Sequence, residues 1–488
     1  MRVAFLVNDL QLSGGVGVVV AHARQLAAHH GFDVTLVLVR EQEVPHWDYE
    51  SLEHLHVATL SDAREQRFDV AVATWWETIF SLYLVPAERY SYFVQSLEDR
   101  FYRPDEAESS FAGLTLDLPL AFITEARWIA ETLRELRPDA PVHLVRNGID
   151  KAVFASPPAV EPNVDGPLRI LVEGYPTVWF KGVNAAIAAT RLMSERHELT
   201  VVAPTRGGLK PEGATRVIGP LSHRDMAAQY GQTDVVLKLS SVEGMFGPPL
   251  EGFHLGATCV TTEVTGYEEY VEHGYNGLLV DWDDLRGTAR QLDLLAHDRR
   301  LLHVLRSNAL ETARRWPTWE QQGQFMAVAL RRIHREPPPL PYAGARALAG
   351  DLRAAIERDR ILLQERSELQ LMQERMERLE RLPGVRHALR VRALGPMLYR
   401  SRASRPRSRL AMVECPPDPR RNWGTTTPTR SSPPSAAPSG SAASGTGPSR
   451  STSSSPAGSR TRRGGRRPRP RPRPPSRRSA VTAPAAAA

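Results

Sequence analysis

The chain has 488 residues, too many for one hydrophobic core, so two domains plus appended segments are expected. Its formal charge of +7 is unevenly spread: residues 383–488 hold 22 Arg, no Lys and two acids, leaving 40 basic and 53 acidic residues in 1–382. An acidic body lacks the clustered positive charge that phosphate tracking needs, which excludes nucleic-acid binding by the folded part.

Val3–Val7 is a short apolar run, the mark of a strand buried on both faces. Leu12-Ser13-Gly14-Gly15-Val16-Gly17 reads as a flexible loop, Val18–His29 as a helix and Val34–Val39 as a second buried strand. That is a βαβ unit, which implies a parallel sheet. Further strands are expected at Val70–Ala73, Ser91–Val94, Ala121–Thr124 and His143–Val145, with Thr124–Ile129 as a strand end feeding an N-capped helix. Residues 157–167 hold four prolines and read as a linker between a first domain, 1–156, and a second, 168–335. The second repeats the pattern with strands at Arg169–Val172, Glu198–Ala203, Thr215–Ile218, Val235–Leu239, Ala257–Thr261 and Gly277–Val280. Two parallel α/β halves make a double Rossmann-like arrangement, which binds ligands beyond its strand C-termini.

Residues 342–382 read as a charged helix in which Leu348, Ala355, Leu362, Leu369 and Met376 recur every seven residues. Asp351, Arg358 and Glu365 interrupt the other seam position, so a weak coiled coil and a solvated stalk are both open. Residues 383–488 are Arg-, Ser- and Pro-rich and are expected to be disordered, with Arg386–Tyr399 a candidate contact for an anionic membrane. No apolar run approaches the roughly 18–20 residues of a membrane span. Val3–Val7 is too short for a leader, and Cys259 and Cys415 form no evident disulfide, so the expected location is cytoplasmic.

The strongest chemical signal is Glu243-Gly244-Met245-Phe246-Gly247-Pro248-Pro249-Leu250-Glu251, directly after the strand at Val235–Leu239. Two carboxylates bracket a Gly/Pro turn that opens a helix, so turn amides and the helix N-terminus are expected to face an anionic ligand. This segment resembles the E-x7-E motif of retaining glycosyltransferase family 4. Gly266–Val271, Gly274–Val280 and Val145–Asp150 are similar to three further ordered elements of that family, and the resemblance spans about residues 1–332.

The resemblance implies a GT-B fold, two Rossmann-like domains facing a central cleft, and transfer of a sugar from a nucleotide-sugar donor. It implies Glu243 on the donor sugar, Glu251 on the nucleotide ribose and Lys181 on the diphosphate. Gly244, Met245, Phe246, Gly247 and Glu269, with Gly14 and Gly15 across the cleft, complete the implied donor site. Tyr175 stands where the family commonly has Arg, so a second phosphate cation is missing there, with Arg206 or Arg146 as candidate substitutes. Tyr92-Phe93-Val94-Gln95-Ser96-Leu97-Glu98 is similar to a Y-F-x-Q-x-x-E segment of surface-polysaccharide rhamnosyltransferases. It puts Gln95 and Glu98 on the acceptor side and suggests a thymidine-diphosphate rhamnose donor; a plain strand end with polar caps is the alternative. Trp75 is a third acceptor-side candidate, with a core role equally open.

No metal-ligand spacing stands out, and Asp281-Trp282-Asp283 sits in an ordinary loop, so no metal or cofactor is expected. The implied acceptor is a glycan or lipid-linked glycan in surface-polysaccharide synthesis. Two other readings stay open: a GT-B epimerase or phosphorylase, and a degenerate, non-catalytic assembly protein.

Overall fold

The computed structural model describes residues 1–381 except 12, 41–51, 53, 204–212, 339 and 340; the basic segment 383–488 and Arg206 therefore lie outside the described residues. The first sheet comprises β1 (Arg2–Val7), β2 (Asp33–Leu38), β3 (His56–Thr59), β4 (Phe68–Ala73), β5 (Ala87–Val94), β6 (Ala121–Thr124) and β7 (Val142–Leu144). All seven are parallel, in the order β3-β2-β1-β4-β5-β6-β7. Its helices are α1 (Gly14–His30), α2 (Leu60–Arg64), α3 (Trp76–Leu82), α4 (Ala107–Thr115) and α5 (Arg127–Leu136).

The second sheet repeats this winding with β8 (Leu168–Glu173), β9 (His197–Val202), β10 (Arg216–Ile218), β11 (Val235–Lys238), β12 (Thr258–Thr262) and β13 (Gly277–Val280). Its order is β10-β9-β8-β11-β12-β13, also parallel. The helices α6 (Val183–Thr190), α7 (His223–Gly231), α8 (Pro248–His254), α9 (Leu285–His297) and α10 (Arg299–Arg315) accompany it. In each sheet the winding reverses beside its first strand, between β1 and β4 and between β8 and β11, which is where such folds hold ligands. Residues 157–167 carry no helix or strand.

Two local expectations are corrected, and one strand was not foreseen. Gly14 and Gly15 are not loop: they form the first turn of α1, because the Ser13 hydroxyl accepts the Val16 N–H at 3.2 Å and starts the helix there. The Thr124–Ile129 stretch does feed α5, but no side chain within it caps the helix: the N-cap residue is Ala126, without a side-chain cap. The edge strand β3 was not expected, since its residues are mostly exposed and form no apolar run.

The chain then returns to the first domain through α11 (Trp319–Arg335) and α12 (Tyr342–Arg381). Met326, Ala327, Leu330 and Ile333 of α11 share a core with Val19, Val20, Ala23 and Leu26 of α1 and with Phe5, Val34 and Phe93 beneath them. Thus the end of the 168–335 segment packs on the first sheet, where each buried aliphatic side chain contributes about 1.5–3 kcal/mol.

The proximal half of α12 docks too. Tyr342 meets Tyr90 edge-on at 4.9 Å, and Ile356 is buried with Trp76, Phe80 and Ala112. The docked stripe runs Tyr342, Ala345, Ala349, Leu352, Ile356, a 3–4 spacing distinct from the heptad seam, of which Leu348 and Leu362 are exposed. No helix among the described residues is long and apolar enough to cross a membrane.

Candidate active site

The Glu243–Glu251 segment begins where β11 ends. Glu243 is buried, and the Lys181 ammonium donates to both carboxylate oxygens, at 3.0 and 2.8 Å. A second ammonium, from Lys238 at the end of β11, lies 3.5 Å from Oε1 and is itself only 5% exposed. Burial by itself would raise the Glu243 carboxyl, but the two lysines hold it below its ordinary value. Lys181 closes a 3-10 turn, Trp179–Lys181, followed by Gly182 at φ 64°. A side chain at 182 would collide with the Leu239 carbonyl, so only glycine lets this turn sit against the end of β11.

Glu251 lies in the first turn of α8, and burial together with the neighbouring Glu173 carboxylate pushes it up to about 7. The expected cradle of amides is smaller than the motif suggests. Pro248 and Pro249 open the seven-residue α8 and carry no N–H, and the Met245 N–H is donated to Glu125 Oε1 at 3.2 Å. Met245 and Phe246 are buried core residues, and the Phe246 carbonyl accepts the Tyr270 hydroxyl at 2.6 Å. Gly247 sits under the Glu251 carboxylate.

The first domain grips this loop directly. Trp128 Nε1 donates to the Gly244 carbonyl at 2.8 Å. Side chains at Gly244 or Gly266 would collide with the carbonyls of Gln95 and Gly244, so three backbone segments stack here. The Gln95 side chain lies over Gly15 at the start of α1, with open space around Gly14. Glu125, buried, accepts from Asn147 Nδ2 at 2.9 Å, and burial drives its carboxyl up to about 8, with Glu243 and Glu269 adding to the rise. Glu269 reaches across from the second domain: Oε1 accepts the Arg127 N–H at 2.6 Å, and Oε2 pairs with Arg146 at 3.2 Å. It therefore serves as the missing cap of α5, and its pairing with Arg146 occupies one of the two arginines considered as phosphate ligands.

Of the residues named from sequence, the structure brings Glu243, Lys181, Glu251, Gly244, Gly247, Gln95, Gly15 and Glu269 to one junction. Glu98 stands apart: only 4% exposed, it accepts from the Trp76 N–H at 2.5 Å and the Tyr92 hydroxyl at 2.8 Å, capping α3, and burial lifts it to about 8. Trp75 is partly exposed at the cleft, whereas its neighbour Trp76 is fully buried. The residues missed were Lys238, Glu125, Asn147 and Glu173. Lys238 had a visible signal, a lysine inside the apolar strand Val-Val-Leu-Lys-Leu. A cavity of about 480 Å³ lined by Pro157, Asn163, Arg169 and Arg306 lies at the opposite, N-terminal ends of the second sheet's strands, away from this junction.

Residues 208–312 match the family described as Glycosyl transferases group 1. No curated protein matches the chain in sequence. Among solved structures, HepE of Anabaena, in complex with UDP-glucose, aligns with TM-score 0.55 and 14% identity over 68% of this chain and 99% of its own. Sucrose-phosphate synthase from Thermosynechococcus elongatus aligns at 0.56 and 15%, over 68% and 98%. TarM of S. aureus, solved with fondaparinux, α-GlcNAc-glycerol and UDP, aligns at 0.54 and 8%, over 67% and 99%. The fold is GT-B, and the group 1 match covering the Glu243–Glu251 segment supports a glycosyltransferase.

Proposed function

We propose that the protein is a retaining, family 4-type glycosyltransferase that moves a sugar from a nucleotide-sugar donor to a glycan or lipid-linked glycan in cell-surface polysaccharide synthesis. The observation that carries this reading is Glu243 held between Lys181 and Lys238 at the β8–β11 switch point, with the first domain closed against the same loop.

In this reading the donor diphosphate takes the ammonium groups over from Glu243. Lys181 and Lys238 then stabilise the charge that develops on the departing phosphate. Lys238 supplies the second positive charge that Tyr175 does not. Glu243, released, accepts hydroxyls of the donor sugar. Glu251 titrates close to neutrality and, once ionised, accepts the ribose hydroxyls. The bond from the anomeric carbon to the phosphate oxygen breaks as the acceptor oxygen bonds on the same face, and the acceptor proton passes to the departing phosphate. The contacts from Trp128, Glu125 and Glu269 hold the cleft shut, which limits attack by water. Work at the cytoplasmic face of a membrane, with the basic segment 383–488 on anionic lipid, would suit a lipid-linked acceptor.

Incubation of the full chain with a panel of nucleotide sugars and oligosaccharide acceptors, read by NMR of the new anomeric centre, tests this. Donor-dependent product with the donor's own anomeric configuration is expected. Inverted product would overturn retention, and donor consumption without any acceptor alcohol would favour an epimerase or phosphorylase.

A further inference from the structure

The two lips of the cleft carry an aromatic strip that the chemistry above does not use. From the first domain come Trp75, just after β4, and Phe101, at the end of the 3-10 turn Glu98–Phe101; from the second come Trp179 and Phe180, directly before Lys181. Trp75 stacks on Phe101 with centroids 5.7 Å apart and 20° between planes, and Phe101 meets Phe180 at 4.9 Å and 31°. Trp179 stands edge-on to Phe180 at 5.6 Å and 86°, and its indole N–H donates to the Phe101 carbonyl at 3.3 Å. The Lys181 ammonium lies 5.4 Å from the Phe180 ring centre. Trp75, Phe101 and Phe180 are partly exposed and Trp179 is 56% exposed, so the rings form a continuous path from solvent to the residue that holds Glu243.

We propose that this strip is the subsite for the acceptor sugar. A pyranose ring presents C–H groups on one face and hydroxyls around its rim. The C–H face suits the electron-rich face of the Trp179 indole, while the hydroxyl rim stays free for hydrogen bonds to water and to polar groups of the cleft. Because each domain supplies half of the rings, the subsite is complete only when the cleft is closed, so donor binding favours acceptor binding. The inference rests on the glycosyl-transfer reading and gives the sugar of its glycan acceptor a place on this strip.

Calorimetric titration of the full chain with maltotriose, chitotriose and a rhamnose trisaccharide, and with farnesyl phosphate as a non-sugar probe, tests it, each with and without saturating nucleotide diphosphate. At least one trisaccharide should bind, and more tightly with the nucleotide present. Trp179→Ala should weaken that affinity about tenfold, Trp179→Phe should restore most of it, and nucleotide affinity should not change in either variant. Unchanged trisaccharide affinity in Trp179→Ala, binding of farnesyl phosphate alone, or binding of none of the four probes would overturn the subsite. Trisaccharide binding that depends on Trp179 in a chain that binds no nucleotide diphosphate would instead leave the strip standing and remove the transfer reading.

Discussion

The two walls of the cleft are built in different ways. On the second-domain side the key groups come from one contiguous stretch, Glu243 to Glu251, with Lys181 and Lys238 converging on its first carboxylate. On the first-domain side they come singly from separate elements: Gln95 after β5, Glu125 and Trp128 around the start of α5, and Asn147 after β7. The second-domain wall concentrates charge, and the first-domain wall holds the charged loop in place with hydrogen bonds. Substitutions on the two sides should therefore fail differently, turnover on one and closure or stability on the other.

The largest effect is expected on the charged wall. Lys181→Met should lower turnover by roughly 10²–10³-fold, the usual loss when one group stabilising developing charge is removed, with an unchanged circular-dichroism spectrum. A fall of less than about tenfold would mean that the phosphate charge is met elsewhere.

In the first domain behind that wall, Ile356→Ala should destabilise the protein by about 2–4 kcal/mol in denaturant melts, because it opens a cavity between α12 and Trp76. Leu362→Ala, six residues on and exposed, should change stability by less than about 0.5 kcal/mol. Equal effects at the two positions would mean that the distal helix is also covered.

Glu125→Ala should cost about 1–3 kcal/mol, since it leaves the Met245 N–H and the Asn147 amide without their partner. Glu125→Gln keeps the neutral shape and should be tolerated. The pH dependence has a definite sign. The folded carboxyl, at about 8, holds its proton more tightly than the unfolded one, at 4.5, so Glu125 stabilises fully below the unfolded value and loses that contribution as pH rises towards 8. Glu98 and Glu251 slope the same way, so the informative quantity is the difference between variants. Glu125→Gln should gain on the wild type between pH 5 and pH 8, and a constant gap in melts at those two values would contradict the buried, protonated carboxyl.

Glu269→Ala should cost about 1 kcal/mol, the typical worth of a helix cap, because the Arg127 N–H loses its acceptor, and should raise the donor KM with little change in kcat. A loss confined to kcat would place Glu269 on the reacting sugar instead.

The same contrast explains what the sequence disclosed. Most of the parallel strands were legible because they are short apolar runs, unlike the exposed β3, and the Glu243–Glu251 segment because its two carboxylates are fixed by local spacing around a turn. Asn147 lay in the recognised stretch Val145–Asp150, but its pairing with Glu125, and that of Glu125 with the Met245 N–H, joins distant segments that no local pattern records. Glu98 sat in a recognisable segment, yet its carboxyl turns inward to the Trp76 N–H, a choice set by tertiary packing. The heptad in α12 marks a different stripe from the one that docks on the first domain, where Tyr342, Ala345, Ala349, Leu352 and Ile356 pack while Leu348 and Leu362 stay exposed. Gly14 and Gly15 read as loop because glycine is a poor helix former, and the Ser13 cap overrode that preference.

The measurement that bears most directly on the donor site is a thermal-shift screen of the full chain against nucleotide diphosphates and nucleotide sugars. A ligand that binds only the folded state adds about 2.7 kcal/mol at a hundred times its Kd. One nucleotide class should raise Tm clearly, and the rise should shrink in Lys181→Met, Lys238→Met and Glu251→Ala. No rise with any nucleotide, or a rise that all three variants retain, would contradict a donor site built on these residues.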